Sequence, residues 1–168
     1  MKILVTGADG FIGSHLAERL VDEGARVRAF VRYNSRHDVG LLAQLPPDLQ
    51  AAIEVVAGDL RDGEAVRAAM AGIDVVFHLG ALIAIPYSYL HPREVVETNV
   101  LGTLNVLMAA RDLGTGRVGE AAAPGIERPA VTTDPVAVVR GGVLLGAGRT
   151  GTAGAPPRRA PPAGPRPP

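Results

Sequence analysis

The sequence of 168 residues contains no cysteine and no tryptophan, and its aromatic side chains are three phenylalanines and three tyrosines. Without cysteine the chain can have no disulfide framework, no thiolate metal site and no thiol nucleophile. The absence of disulfides is typical of a cytoplasmic protein. No apolar run approaches the roughly 18 residues that a membrane-spanning helix requires, so we expect no membrane partner.

Lysine is almost absent, because Lys2 is the only one and arginine supplies the rest of the 17 basic residues. These are balanced by 17 acidic residues, and the formal net charge of zero argues against a nucleic-acid partner. The four histidines also form no metal-binding pattern, since no two of them have the i, i+4 spacing of a helical metal pair. We therefore predict no metal site.

The composition changes near Gly114. Residues 1–114 contain 14 acidic and 10 basic side chains, whereas residues 115–168 contain 3 acidic and 7 basic ones. The second part has ten of the 14 prolines and none of the aromatic residues. We predict a folded half-domain over 1–114 and a largely disordered tail over 115–168, rich in Pro, Gly, Ala and Arg. Two apolar runs within 136–145 are the candidates for short strands in that tail.

Strand and helix patterns alternate along the first part, which is typical of βαβ units. The predicted fold class is therefore α/β, a partial Rossmann fold with a doubly wound parallel sheet of about four strands. The predicted strands are 2–6, 26–31, 53–57 and 74–79, and the predicted helices are 11–23, 39–45, 62–70 and 92–113.

A glycine-rich segment joins the first strand to the first helix. Gly7, Gly10 and Gly13 have the spacing G-x-x-G-x-x-G. At such a junction the glycines permit a tight turn, a close approach of the backbone to a pyrophosphate, and close packing of helix on strand. The phosphates would bind to free N–H groups at the start of the helix. The alternative is a tight turn with no ligand.

Four segments in order carry a family resemblance: MKILVTGADGFIGSHLAERL at the start, GDLRD at 58–62, DVVFHLGA at 74–81 and ETNVLGTLNVLMAAR at 97–111. Over 1–114 the chain resembles the extended short-chain dehydrogenases of the NAD-dependent epimerase/dehydratase family. The segments RYNSR at 32–36 and ALIAIPYSY at 81–89 resemble a narrower group, the sugar-nucleotide 4,6-dehydratases. In that family the cofactor takes a hydride from the sugar C4, water is lost or the centre epimerises, and the hydride returns.

The resemblance implies a set of cofactor-binding residues. By position these are Gly7, Gly10, Phe11, Ile12 and Gly13 around the pyrophosphate, Asp59 and Leu60 beside the adenine, Leu79, Gly80 and Ala81 beside the ribose and nicotinamide, and Asn99 as a support of the active-site backbone. Gly80 stands where the family often has alanine. Asp59 could instead cap a helix or turn, and Asn99 could be an amide on a helix surface.

The end of the second strand departs from the usual NAD pattern. An acidic residue normally ends this strand and binds the ribose 2′-OH, but Phe30 stands near that place and Arg32, Asn34 and Ser35 follow. An arginine there favours a 2′-phosphate, which makes NADP possible. The resembling dehydratases mostly use NAD, so NAD is the predicted cofactor. The alternative is that the arginines of this loop are solvated charges or lie beside the adenine.

The catalytic residues of the family are missing. The family uses a Tyr-x-x-x-Lys pair on a helix after strand 5, with a Ser or Thr on that strand, so that a tyrosinate can act as the base. The only lysine here, Lys2, lies inside the first strand. We therefore predict no catalytic residue in this chain, and an inactive fragment truncated or frameshifted after about Gly114.

The absence of the family's catalytic part also affects which partners we expect, both the substrate and a second subunit. The intact family binds a nucleotide sugar, and its members often dimerise through two helices, of which only 92–113 is present, so the sequence weighs against a dimer of this chain. Two other readings remain open. The chain could be a non-catalytic dinucleotide-binding module, or an interaction protein acting through the P-x-x-P spacings at 162–168.

Overall fold

The computed structural model describes residues 1–120, 137–140 and 143–144. Its sheet has the order β3-β2-β1-β4-β5-β6-β7, and all neighbouring pairs are parallel except β6 with β7. The strands are β1 Lys2–Thr6, β2 Arg26–Arg32, β3 Ile53–Gly58, β4 Val75–His78, β5 Arg117–Glu120, β6 Ala137–Arg140 and β7 Val143–Leu144. This confirms the parallel Rossmann-like α/β fold. The chain runs outward from β1 to β3 and then returns to the other side of β1, which places a topological switch point between β1 and β4.

The helices connect these strands. They are α1 Phe11–Asp22, α2 Pro47–Ala52, α3 Gly63–Met70, α4 Ile85–Leu90, α5 Pro92–Val96 and α6 Gly102–Leu113, with a 3₁₀ turn at Gly40–Gln44 and a π-helical turn at Glu97–Leu101. Two short helices were not predicted, α2 and α4. Each has a proline in its first two positions, where the missing N–H costs no helical hydrogen bond. The single helix predicted over 92–113 is divided by the π-helical turn between α5 and α6.

Apolar residues cover both faces of the sheet. On one face Leu4, Val76 and Val118 pack against α3 and α6. On the other face Ile3 and Val5 pack against α1 and the 3₁₀ turn. Because β1 is buried on both faces, its carboxyl end is held firmly, and that end leads directly into the glycine-rich loop.

The fifth strand corrects the prediction of about four strands ending near Gly114. Gly114 ends α6 in the left-handed conformation, with φ of 67°. The buried Thr115 follows, and β5 then pairs with β4 so that Val118 lies beside Val76. The sequence RVGE has one strongly apolar residue, which is why apolar patterning missed this strand. β6 and β7 fall within 136–145, whereas the predicted disorder of the remaining tail lies outside the described residues.

Within the described ranges, no helix has both the length and the apolar character needed to cross a membrane.

Candidate dinucleotide-binding site

The glycine-rich loop follows β1 at the switch point. Gly7 has φ of +67°, and a Cβ there would lie 2.8 Å from the Gly80 backbone. A Cβ on Gly13 would overlap the carbonyl oxygen of Gly7. Packing therefore requires both of these glycines. A Cβ on Gly10 would meet only the Gly7 oxygen, at 3.4 Å, which is an ordinary contact. Packing alone does not explain Gly10, whereas the approach of a ligand to the backbone does.

No side chain caps the first N–H groups of α1. Its N-cap residue is Gly10, which has no side chain to accept a hydrogen bond, and the first turn contains no acidic residue. By contrast, the Asp62 side chain caps α3 and accepts hydrogen bonds from the N–H groups of Glu64 and Ala65 at 3.0 and 3.1 Å. The first N–H groups of any helix lack helical partners and carry its positive dipole end. The uncapped start of α1, with Phe11 and Ile12 exposed around it, is suited to a pyrophosphate.

A buried chain of hydrogen bonds crosses the switch point beneath the loop. The Thr6 hydroxyl accepts from the N–H groups of Leu79 and Gly80, both at 3.1 Å, and lies 2.7 Å from Nδ1 of His78. Nε2 of His78 lies 3.0 Å from the Thr103 hydroxyl, which donates to the Asn99 carbonyl oxygen at 2.6 Å. This series of hydrogen bonds links β1, β4 and α6. It fixes the backbone of Leu79 and Gly80, which the family resemblance predicts to lie beside the ribose and nicotinamide.

The amide of Asn99 binds the backbone that follows β4. Its Oδ1 accepts from the Leu82 N–H at 2.8 Å, and its Nδ2 donates to the Leu82 carbonyl at 2.9 Å. The Asn99 amide is therefore not a free amide on a helix surface, because both of its ends bind the Leu82 backbone. Asn99 lies in the π-helical turn, and such turns often occur at functional sites. Ala81 lies in the segment that this contact holds.

Asp59 and Leu60 follow β3, as predicted. Asp59 accepts a hydrogen bond from the backbone N–H of Arg61 at 2.9 Å, and both of its oxygens bind the Arg61 guanidinium. This hydrogen bonding lowers the pKa of Asp59 below its ordinary value. Asp59 is a turn residue, because the helix cap is Asp62. The Leu60 side chain would lie 2.8 Å from a Cβ on Gly80, so glycine at that position leaves room for Leu60.

At the end of β2, Arg32 and Asn34 line a pocket of about 180 Å³, together with His37 and Val55. Asn34 closes its own loop, since its Oδ1 accepts from the N–H groups of Arg36 and Asp38 at 3.1 and 2.9 Å. Ser35 is exposed on this loop. Asn34 therefore has a structural role that the sequence did not reveal.

Arg32 has a partner that the sequence analysis missed. Its guanidinium lies 3.2 Å from the Glu94 carboxylate on α5, 62 positions further along the chain. The other Glu94 oxygen accepts a hydrogen bond from the Tyr87 hydroxyl on α4. The hydrogen bond from Tyr87 and the charge and hydrogen bond of Arg32 lower the pKa of Glu94. The hydrogen bond to Glu94 raises the pKa of Tyr87. No local sequence pattern signals so distant a pair.

A sequence profile of the family described as GDP-mannose 4,6 dehydratase matches residues 4–121. The chain belongs to this family. The match confirms the resemblance to the NAD-dependent epimerases and dehydratases, and it extends past Gly114 through β5.

Curated relatives and solved structures agree with this membership. The chain is 39% identical over 137 residues to a 2-alkyl-3-oxoalkanoate reductase of Stenotrophomonas maltophilia, which covers 81% of this chain and 37% of that protein. It is 37% identical over 115 residues to a probable UDP-glucuronate 4-epimerase of Rhizobium meliloti, covering 66% and 34%. The structure of a dTDP-glucose 4,6-dehydratase from Streptomyces venezuelae with NAD bound superposes with a TM-score of 0.63 at 32% identity, covering 72% and 39%. The chain thus spans little more than a third of each of these proteins.

Proposed function

We propose that this chain is the NAD-binding N-terminal part of a sugar-nucleotide dehydratase or epimerase, and that it does not catalyse the reaction by itself. The observation that carries the proposal is the uncapped start of α1 behind Gly10, at the switch point of a parallel sheet. Anions bind at such helix starts. When bound, NAD would supply hydride acceptance and return, while the residues of this chain would hold the pyrophosphate, the adenine and the ribose.

The variety of the relatives supports a cofactor-binding role. The proteins that match the same segment have names that describe an oxoalkanoate reductase, a UDP-glucuronate epimerase and a hydroxysteroid dehydrogenase. The substrates in these names have little chemistry in common, which is expected if the shared segment binds a cofactor rather than a substrate. NAD is present in solved structures that match this chain. The nucleotide sugar is the proposed substrate class of the intact protein, because the family profile and the RYNSR segment favour it.

The S. maltophilia relative favours a second candidate function, the cofactor-binding part of a reductase that acts on an oxo acid. Both candidates predict dinucleotide binding by this chain. They differ only in the substrate of a longer protein.

The proposal is tested by titrating the 168-residue chain with NADH and following the nicotinamide fluorescence. The unchanged chain is expected to bind NADH saturably. Gly10→Ala is expected to weaken binding about tenfold or more, because its methyl group occupies the place of the pyrophosphate. The matched control is Gly116→Ala, whose Cβ would also lie 3.4 Å from a backbone oxygen, that of Asp74, but away from the loop.

The outcomes separate the parts of the proposal. No NADH binding by the unchanged chain, or equal loss in both variants, contradicts a dinucleotide site behind Gly10. Turnover of a nucleoside-diphosphate hexose by the chain in the presence of NAD contradicts its catalytic inactivity, which rests on the missing Tyr-x-x-x-Lys pair.

A further inference from the structure

The charge at the end of β2 has the wrong sign for an NAD site. In such folds an acidic residue at this position binds the 2′-OH of the adenosine ribose, whereas an arginine there accommodates a 2′-phosphate. Here Arg32 is the last residue of β2 and lines the pocket at the carboxyl end of the strand. Asp38, from the following loop, also lines this pocket, and its Oδ1 accepts a hydrogen bond from the Gly40 N–H at 2.8 Å. Considered alone, β2 would favour NADP.

Glu94, which lies on another part of the chain, adds a negative charge beside Arg32. Its carboxylate, on α5, lies 3.2 Å from the Arg32 guanidinium, and the Tyr87 hydroxyl holds its second oxygen. Glu94 is thus bound on both oxygens, and its side chain is only 25% exposed although that of Arg32 is 63% exposed. The Tyr87 hydrogen bond and the charge of Arg32 lower the pKa of this carboxyl further below neutral pH.

Two other cations around this edge are also paired, since Arg61 binds Asp59 at 2.6 Å and Arg93 binds Glu97 at 2.8 Å. Arg36, exposed on the loop after β2, forms no ion pair within the described residues. A 2′-phosphate that binds beside Arg32 itself would have to displace the Glu94 carboxylate and remain close to its negative charge. A ribose 2′-OH meets no such penalty and can donate to a carboxylate.

We propose that Glu94 is a cofactor-specificity residue, which supplies from α5 the negative charge that β2 lacks and so favours NAD over a dinucleotide with a 2′-phosphate. Tyr87 is a positioning residue that orients the Glu94 carboxylate toward Arg32. The proposal rests on the proposed function, since it assumes that a dinucleotide binds with its adenosine ribose at the end of β2.

The test measures the dissociation constants of NADH and NADPH for the 168-residue chain and for Glu94→Gln, at low ionic strength. The variant is expected to bind NADPH about fivefold more tightly or better, because repulsion is removed and Arg32 becomes available. Binding of NADH is expected to change less than twofold. Glu97→Gln is the matched control, because it removes a carboxylate that pairs with Arg93 at 2.8 Å and with Arg61 at 3.9 Å rather than with Arg32.

Two further variants identify the mechanism. Adding Arg32→Ala to Glu94→Gln is expected to abolish the gain for NADPH. Tyr87→Phe is expected to give a smaller gain in the same direction, and it tests the proposal with the carboxylate still present. Circular dichroism of each variant verifies its fold.

An unchanged ratio of the two dissociation constants in Glu94→Gln, or an equal change in Glu97→Gln, overturns the proposal while leaving the proposed function intact. Failure of every protein to bind either dinucleotide overturns both.

Discussion

The hydrogen bonds around Thr6 determine the tautomer of His78. The Thr6 oxygen accepts from two backbone N–H groups, which uses both of its lone pairs, so its proton points toward Nδ1 of His78. Nδ1 is then an acceptor, and Nε2 carries the ring proton and donates to the Thr103 hydroxyl. We predict the neutral Nε2–H tautomer.

Long-range ¹H–¹⁵N spectra of the histidine rings would measure this directly. His78 should show one protonated nitrogen, Nε2, and an unprotonated Nδ1 at neutral pH. The exposed His15 provides the comparison within the same spectrum. Thr6→Val removes the hydroxyl that donates to Nδ1, so the preference for a proton on Nε2 should weaken. A proton found on Nδ1 in the unchanged protein would contradict the predicted Nε2–H tautomer.

The pKa of Glu94 provides a second prediction at a single residue. It lies below the ordinary value of 4.5, because the Tyr87 hydroxyl donates a hydrogen bond to the carboxylate and the Arg32 guanidinium adds its charge and a further hydrogen bond. Carboxyl ¹³C titration should therefore show that this pKa rises in Tyr87→Phe and also in Arg32→Gln. Because the folded pKa is lowered, the interaction stabilises the fold above pH 4.5 and is lost as the pH falls through the folded value. An unchanged pKa of Glu94 in Tyr87→Phe would contradict the hydrogen bond from the tyrosine.

Some site residues could be predicted from the sequence, and others could not, for a physical reason. Gly7 and Gly13 meet steric limits set by the loop itself and by the strand beside it, so their spacing is visible along the chain. The partnership of Arg32 with Glu94 depends on how α5 lies over the sheet edge. Such a long-range contact leaves no periodic pattern. The same applies to Asn99, for which the family resemblance implied a role but whose Leu82 contact appears only in the fold.

Among the elements, β5 is the one that most needs an energetic test. Val118 is its apolar residue in the core, 2% exposed, packed in the layer with α3 and α6. We predict that Val118→Ala lowers the free energy of unfolding by about 1–3 kcal/mol. Val100→Ala, at a position that is 54% exposed in the π-helical turn, should change it by less than about 0.5 kcal/mol.

Urea denaturation followed by circular dichroism would give both values. A cost for Val118→Ala no larger than that for Val100→Ala would mean that β5 does not contribute to the core.

The elements that could be predicted are those whose pattern is local and long enough to read. Burial on both faces makes β1 a continuous apolar run, and α1 and α3 have both periodicity and clear ends. The short helices α2 and α4 have six residues each, too few for periodicity, and their prolines resembled helix breakers. Apolar patterning also fails for β5, because backbone pairing with β4 and β6 can fix a strand in the sheet that has a single buried apolar side chain.

At the scale of the molecule, the net charge of zero is the sum of −4 over 1–114 and +4 over 115–168. The family match ends at residue 121, close to this change in composition. A frameshift in the gene is our hypothesis for this change in composition. Resequencing the locus tests that hypothesis, because it requires another reading frame that encodes a Tyr-x-x-x-Lys pair after β5.

The whole fold should respond to the cofactor. The site draws on the ends of β1 to β4 and on the π-helical turn, so a bound dinucleotide stabilises elements on both sides of the switch point together. At a NAD concentration of about 100 times the dissociation constant, the gain in unfolding free energy is about 2.7 kcal/mol. For a domain of this size that corresponds to a rise in Tm on the order of 10 °C. Adenosine lacks the pyrophosphate that the uncapped start of α1 is suited to bind, so it should raise Tm far less. Differential scanning fluorimetry with an external dye measures both shifts. Equal shifts for NAD and adenosine would show that the N-terminus of α1 does not contribute to binding, whatever the affinity of the adenine pocket.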